Sequence, residues 1–191
     1  MNARFLMILF DTSFLLAMTA WLGSILFFSF GVAPIIFNVL GVESGGKFVR
    51  ALFPRYYAWG AVSGAVALPS TVAVPLCYPE MRGLWVALQS LLIIAGILLM
   101  FYAGNTLTPA INAARDEGPA GEARFDRLHR RSVRLNAVTL LLGVGVLLVF
   151  VTRPIPTTSG IVEPTPVERA RIEAQRILGP EKARTPAAPA R

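Results

Sequence analysis

Four long apolar runs, separated by short polar stretches, organise this chain. They cover about residues 5–30, 56–76, 84–102 and 135–151. Runs of this length with charge held to their ends suit helices that cross a bilayer, not the core of a soluble domain. The pattern predicts an all-α membrane protein: a four-transmembrane-helix bundle over residues 1–151, then a mostly disordered, Pro/Ala-rich polar tail over 152–191. Within the tail, Thr165, Pro166 and Glu168 form a helix start signal and Gly179-Pro180 a stop, so one short helix is expected at 166–178.

Breakers refine this outline. Pro34 is expected to kink or end the first helix, and Gly41, Gly45 and Gly46 to form a flexible connection. Lys47 to Phe53 is a short basic segment suited to the interface, and Pro54 is placed to open the second span. Pro69 and Pro75 should bend that span, and Tyr78 to Gly83 form a polar hairpin. The third run continues past Tyr102 as a polar helix, where Pro109 should bend the chain and free a carbonyl near Asn105. The fourth helix begins near Ala123 and enters the bilayer at about Leu135. The first run could be mistaken for a secretory signal. Asp11 interrupts it, no A-x-A site follows, and it is too long, so it is read as a mature span.

The polar positions are patterned too. Phe125, His129, Ser132 and Asn136 are spaced four, three and four, which puts them on one helical stripe entering the fourth span. His129 is the chain's single histidine. Asn105, Thr108 and Asn112 form a similar stripe leaving the third span, and Arg55, Tyr56 and Tyr57 sit at the start of the second. With four spans, connectivity brings all of these to one end of the bundle. The candidate polar site is therefore His129, Ser132, Asn136, Asn105, Thr108, Asn112, Arg55 and Tyr56. Such stripes line a cavity or form a hydrogen-bonded seam between helices, and the seam is the commoner case. At the other end Asp11 is read as an interfacial carboxylate wetted by headgroups, in preference to a buried one paired with a cation. Gly60 and Gly64 permit close approach of another helix, and a homo-oligomer is left open.

Composition narrows the function classes. The 191 residues are 54% hydrophobic and carry a net charge of +7, held in the loops and tail. Basic residues beside spans contact anionic lipid headgroups, so the expected partner is the bilayer and not nucleic acid. Lys47, Arg50, Arg55, Arg115, Arg124, Arg127, Arg130, Arg131 and Arg134 lie at the polar end, against Arg4, Arg82 and Arg153 at the other. The positive-inside rule then puts both long loops in the cytoplasm and both termini outside, in a plasma membrane of bacterial inner-membrane type. Cys77 is the lone cysteine, which excludes an internal disulfide and a cysteine-rich zinc site. No nucleophile triad, acid pair or phosphate loop stands at useful spacing, so an enzyme is disfavoured and no cofactor is called for.

The stretches TAWLGSILFFSFGVAPIIF, LFPRYY, NTLTPAIN and FDRLHRRSVRLN, in that order, resemble the four-span membrane family typified by transmembrane protein 205. The likeness covers most of residues 15–145 and rests on Leu52, Phe53, Pro54, Asn105, Pro109, His129, Ser132 and Asn136. It implies a part in handling a metal ion or small solute and brings no catalytic residues. The layout is also loosely similar to copper-resistance and haem-biosynthesis membrane proteins, although one histidine falls short of the usual haem pair. Three readings follow: a non-enzymatic protein with a solute or metal site at His129; a haem- or metal-linked redox protein using His129; and a purely structural seam.

Overall fold

The structure, a computed structural model, describes residues 3–154 and, in the tail, 167, 169–173 and 175–176. The first unit is all-helical. Helix α1 (Ala3–Leu26) passes through a π-helical segment, Phe27–Val32, into α2 (Ala33–Cys77). A short 3₁₀ turn, Pro79–Met81, leads to α3 (Leu84–Tyr102), which passes through a second π-helical segment, Ala103–Leu107, into α4 (Thr108–Asp116). A 3₁₀ turn at Gly118–Gly121 joins α5 (Glu122–Val151). The described tail residues are helical and exposed, and fall within the predicted 166–178 helix; Thr165, Pro166, Glu168, Gly179 and Pro180, and the stretches expected to be disordered, lie outside the described residues.

Among the described residues, three helical stretches are long and apolar enough to cross a membrane: Phe5–Cys77, Leu84–Asp116 and Gly118–Val151. The first is 73 residues long. Straight, it would reach about 110 Å at 1.5 Å per residue, several times the hydrocarbon thickness of a bilayer. It is not straight. Gly41 leaves the helical conformation, at φ 70° and ψ 173°, a region open essentially to glycine. Beyond it the chain folds back on α1: Trp59 Nε1 donates to the Ala20 carbonyl at 3.3 Å.

The expected connection is thus corrected. It is a single reversal at Gly41, while Gly45 and Gly46 are helical and buried. Pro34 does not end the first helix, and Pro54 sits inside α2 instead of opening it. Glycine there serves packing: a Cβ at Gly45 would strike Phe37, and one at Gly46 would strike Arg115.

Both π segments stop two residues before a proline, Pro34 and Pro109. A proline ring clashes with the carbonyl four residues back and offers no N–H to it. Widening the preceding turn relieves that clash. Accordingly the Ala33 N–H bonds to Phe28 O, and the Thr108 N–H bonds to Ala103 O, each five residues back.

The core follows from α1. Phe14, Met18, Trp21 and Ile25 recur at spacings of four, three and four, and all are buried. Trp21 fits because its neighbours are glycines: a Cβ at Gly96 on α3 would collide with its ring, and one at Gly64 would crowd it. Gly143 on α5 makes the same room for Leu22. Outward positions such as Leu16, Leu91, Leu98, Leu141 and Leu148 are exposed, which is the inversion a lipid-facing bundle requires.

Candidate functional site

The two π segments flank a cavity of about 430 Å³ at the end of the bundle nearer Gly41. Its walls come from the first π segment, α2, α4 and α5: Phe28, Ser29 and Phe37 from the chain before Gly41; Phe53, Tyr56 and Tyr57 after it; Thr108, Asn112 and Arg115 from α4; and Phe125, His129, Ser132 and Asn136 from α5. The volume lies within the range of small-molecule sites.

Its floor is aromatic. Phe28, Phe53, Tyr56 and Tyr57 form a closed cluster, with Tyr56 and Tyr57 edge to face at 5.1 Å and Phe28 at 5.3 Å from both Phe53 and Tyr56. A hydrogen-bond chain crosses it. Tyr56 OH donates to Asn136 Oδ1 at 2.7 Å, and Asn136 Nδ2 donates to Ser29 Oγ at 3.1 Å. Tyr57 OH and Ser132 Oγ lie 3.3 Å apart. Thr108 Oγ1 donates to the Ala103 carbonyl at 2.8 Å, the same carbonyl that accepts its backbone N–H. The deep hydroxyls and amide thus link three of the helical segments to one another.

The mouth is different. His129 is exposed and makes no hydrogen bond to a described residue. Its ring stacks on Phe125 at 5.7 Å with planes 5° apart. The other neighbour of Phe125 is the Arg115 guanidinium, 5.2 Å from the ring centroid. Asn112 and Arg115 are half-buried. Around this rim, Arg50 pairs with Asp116 and Arg124 with Glu117, both at 2.6 Å.

Six of the eight predicted site residues line the cavity: His129, Ser132, Asn136, Thr108, Asn112 and Tyr56. Asn105 and Arg55 do not. Each is exposed and folds back on its own helix, Asn105 Nδ2 to Phe101 O and Arg55 to Ala51 O, both at 3.0 Å. Asn105 sits inside the second π segment, whose wide turn breaks the three-and-four register that had placed it beside Thr108. Asn105 makes no hydrogen bond to His129, and Asn136 bonds Tyr56 and Ser29.

Ser29 and Arg115 escaped the sequence reading as site residues. The signal for Ser29 was a lone hydroxyl inside the run FFSFG. Arg115 resembled any other loop cation. Among the described residues no group of three or more His, Cys, Asp or Glu side chains gathers as a metal site would need.

At the far end Asp11 and Arg153 pair through two hydrogen bonds, at 2.8 and 2.5 Å. Arg153 also lies 4.0 Å over the Phe150 ring, which stacks on Phe14. Asp11 is thus the cation-paired carboxylate and not a free interfacial one. The pair ties the start of α1 to the residues just past α5.

Residues 16–120 match a family model described as Domain of unknown function (DUF4149), and the chain belongs to that family. The match stops short of His129, Ser132 and Asn136, so the α5 wall of the cavity lies outside it. No curated protein and no solved structure matches the chain.

Proposed function

We propose that this membrane protein spans the bilayer four times and holds a small solute, without transforming it, in the cavity at its cytoplasmic end. Gly41 divides the long first stretch into two spans, and the segment after it packs antiparallel to α1. The excess of basic residues at the cavity end favours a cytoplasmic position in a bacterial inner membrane. The resemblance to the transmembrane protein 205 family agrees with solute handling. The single observation that carries the reading is a cavity walled by the first π segment, both arms of α2, α4 and α5, with His129, Asn112 and Arg115 presented at its mouth.

Native mass spectrometry of the purified chain, wild type beside Ala33→Trp, tests this reading. Ala33 lines the cavity, so the indole would intrude on it. The wild type is expected to retain or take up small-molecule mass that the variant does not. Equal uptake by both would overturn the site.

A second reading has its own support. The chain Tyr56–Asn136–Ser29 is a hydrogen-bonded seam between helices, as a structural role requires. An absorption spectrum and metal analysis of wild type and His129→Ala address the redox alternative. A Soret band or stoichiometric metal lost with His129 would make that alternative the leading one.

A further inference from the structure

We propose that the solute is a single-chain amphiphile with an anionic head, a carboxylate or phosphate, seated with its head at Arg115 and its chain against the aromatic floor. This inference rests on the cavity being a solute site, as argued above.

Charge is the first argument. The cavity lining contains no Asp, Glu, Lys or Cys, and its one fixed charge is Arg115. Arg50 pairs with Asp116, Arg124 with Glu117 and Lys47 with Glu43, the last at 2.7 Å, while Arg55, Arg127, Arg131 and Arg134, which have no carboxylate partner among the described residues, lie outside the cavity lining. Arg115 has no carboxylate or carbonyl within hydrogen-bond distance among the described residues; its guanidinium lies over the Phe125 ring and against Gly46. A half-buried guanidinium that keeps its fork of donors unfilled is costly in apolar surroundings. A carboxylate or phosphate answers it with paired, charge-assisted bonds. A cationic or metal solute would find no counter-charge on these walls.

Shape is the second argument. Apart from Arg115 the walls are largely apolar, with Ile36, Phe28 and Phe53 among them, and the deep hydroxyls and amide are bonded mostly to one another. Phe37 and Val133, which also line the cavity, are 42% and 56% exposed. The cavity therefore opens past apolar side chains on the segments before Gly41 and at the start of α5, at the level where the chain enters the bilayer. A ligand with a hydrocarbon chain and one charged end matches both the walls and the opening.

The test uses the full chain in nanodiscs of phosphatidylcholine. Equilibrium affinities are measured for four probes of equal chain length: dodecanoate, dodecyl phosphate, dodecanol and dodecyltrimethylammonium. At least one anionic probe should bind roughly tenfold or more tighter than dodecanol, and Arg115→Gln should remove roughly 10- to 100-fold of that affinity while leaving dodecanol unchanged. Preference for dodecanoate over dodecyl phosphate would mark a fatty-acid-type head, and the reverse a phospholipid-type head. Dodecanol or the cationic probe binding as tightly as the anions, or no effect of Arg115→Gln on them, would overturn the charge assignment and leave the solute site standing. Failure of all four probes to bind the wild type would overturn the amphiphile assignment, while the solute site itself stands or falls on the mass-spectrometric comparison with Ala33→Trp.

Discussion

At the scale of single residues, the sharpest consequences concern Asn136 and Asp11. Asn136 both accepts from Tyr56 and donates to Ser29, so Asn136→Leu breaks two bonds where Tyr56→Phe breaks one. Interhelical hydrogen bonds in membranes average about 0.6 kcal/mol and reach about 1.7. Tyr56→Phe should therefore lower stability by roughly 0.5–1.5 kcal/mol and Asn136→Leu by more, read as thermal unfolding in detergent. The pair of Asp11 with Arg153 is largely shielded, with side chains 22% and 12% exposed. Asp11→Asn or Arg153→Gln alone strands one charge and should cost about 1–3 kcal/mol. In a double-mutant cycle the second substitution should cost much less than the first, and strict additivity would show that the pair contributes nothing. The stripe Phe125, His129, Ser132, Asn136 was legible because an unbroken α-helix preserves three-and-four spacing. Asn105 was misplaced because the π turn before Pro109 has a different period. Ion pairing of Asp11 was not legible either, since its partner lies 142 residues away.

At the scale of elements, glycine and proline decide the geometry. Gly41 holds a backbone conformation that other residues adopt only under strain, so Gly41→Val should cost about 1–3 kcal/mol and weaken the hairpin between α1 and the rest of α2. The measurable result is a lower unfolding temperature and faster proteolysis near residue 41. By contrast Gly23, which has open space where a Cβ would sit, should accept alanine with little change. Gly96→Val drives a side chain into Trp21 and should separate α1 from α3, at about 1–3 kcal/mol for an overpacked site. The apolar runs made the helices readable, because lipid-facing stretches carry their signal in composition. The run of glycines after Leu40 read as a loop because propensity cannot distinguish a flexible glycine from one selected for close packing. Gly45 and Gly46 are of the second kind, lying against Phe37 and Arg115.

At the scale of the whole molecule, one reversal turns a 73-residue helical stretch into two antiparallel segments, and only then do four walls surround the cavity. The solute reading, the orientation and the anionic head at Arg115 all depend on that count. It is tested by single-cysteine labelling of intact cells with a membrane-impermeant thiol reagent, in a Cys77→Ser background, at Asn2, Ser44, Glu80 and Ala120. Four spans with the cavity end inside predict that Asn2 and Glu80 label from outside, while Ser44 and Ala120 label only after permeabilisation. Asn2 and Ala120 on the same side, opposite Glu80, would mean that residues 5–77 cross the membrane once, and would contradict the account.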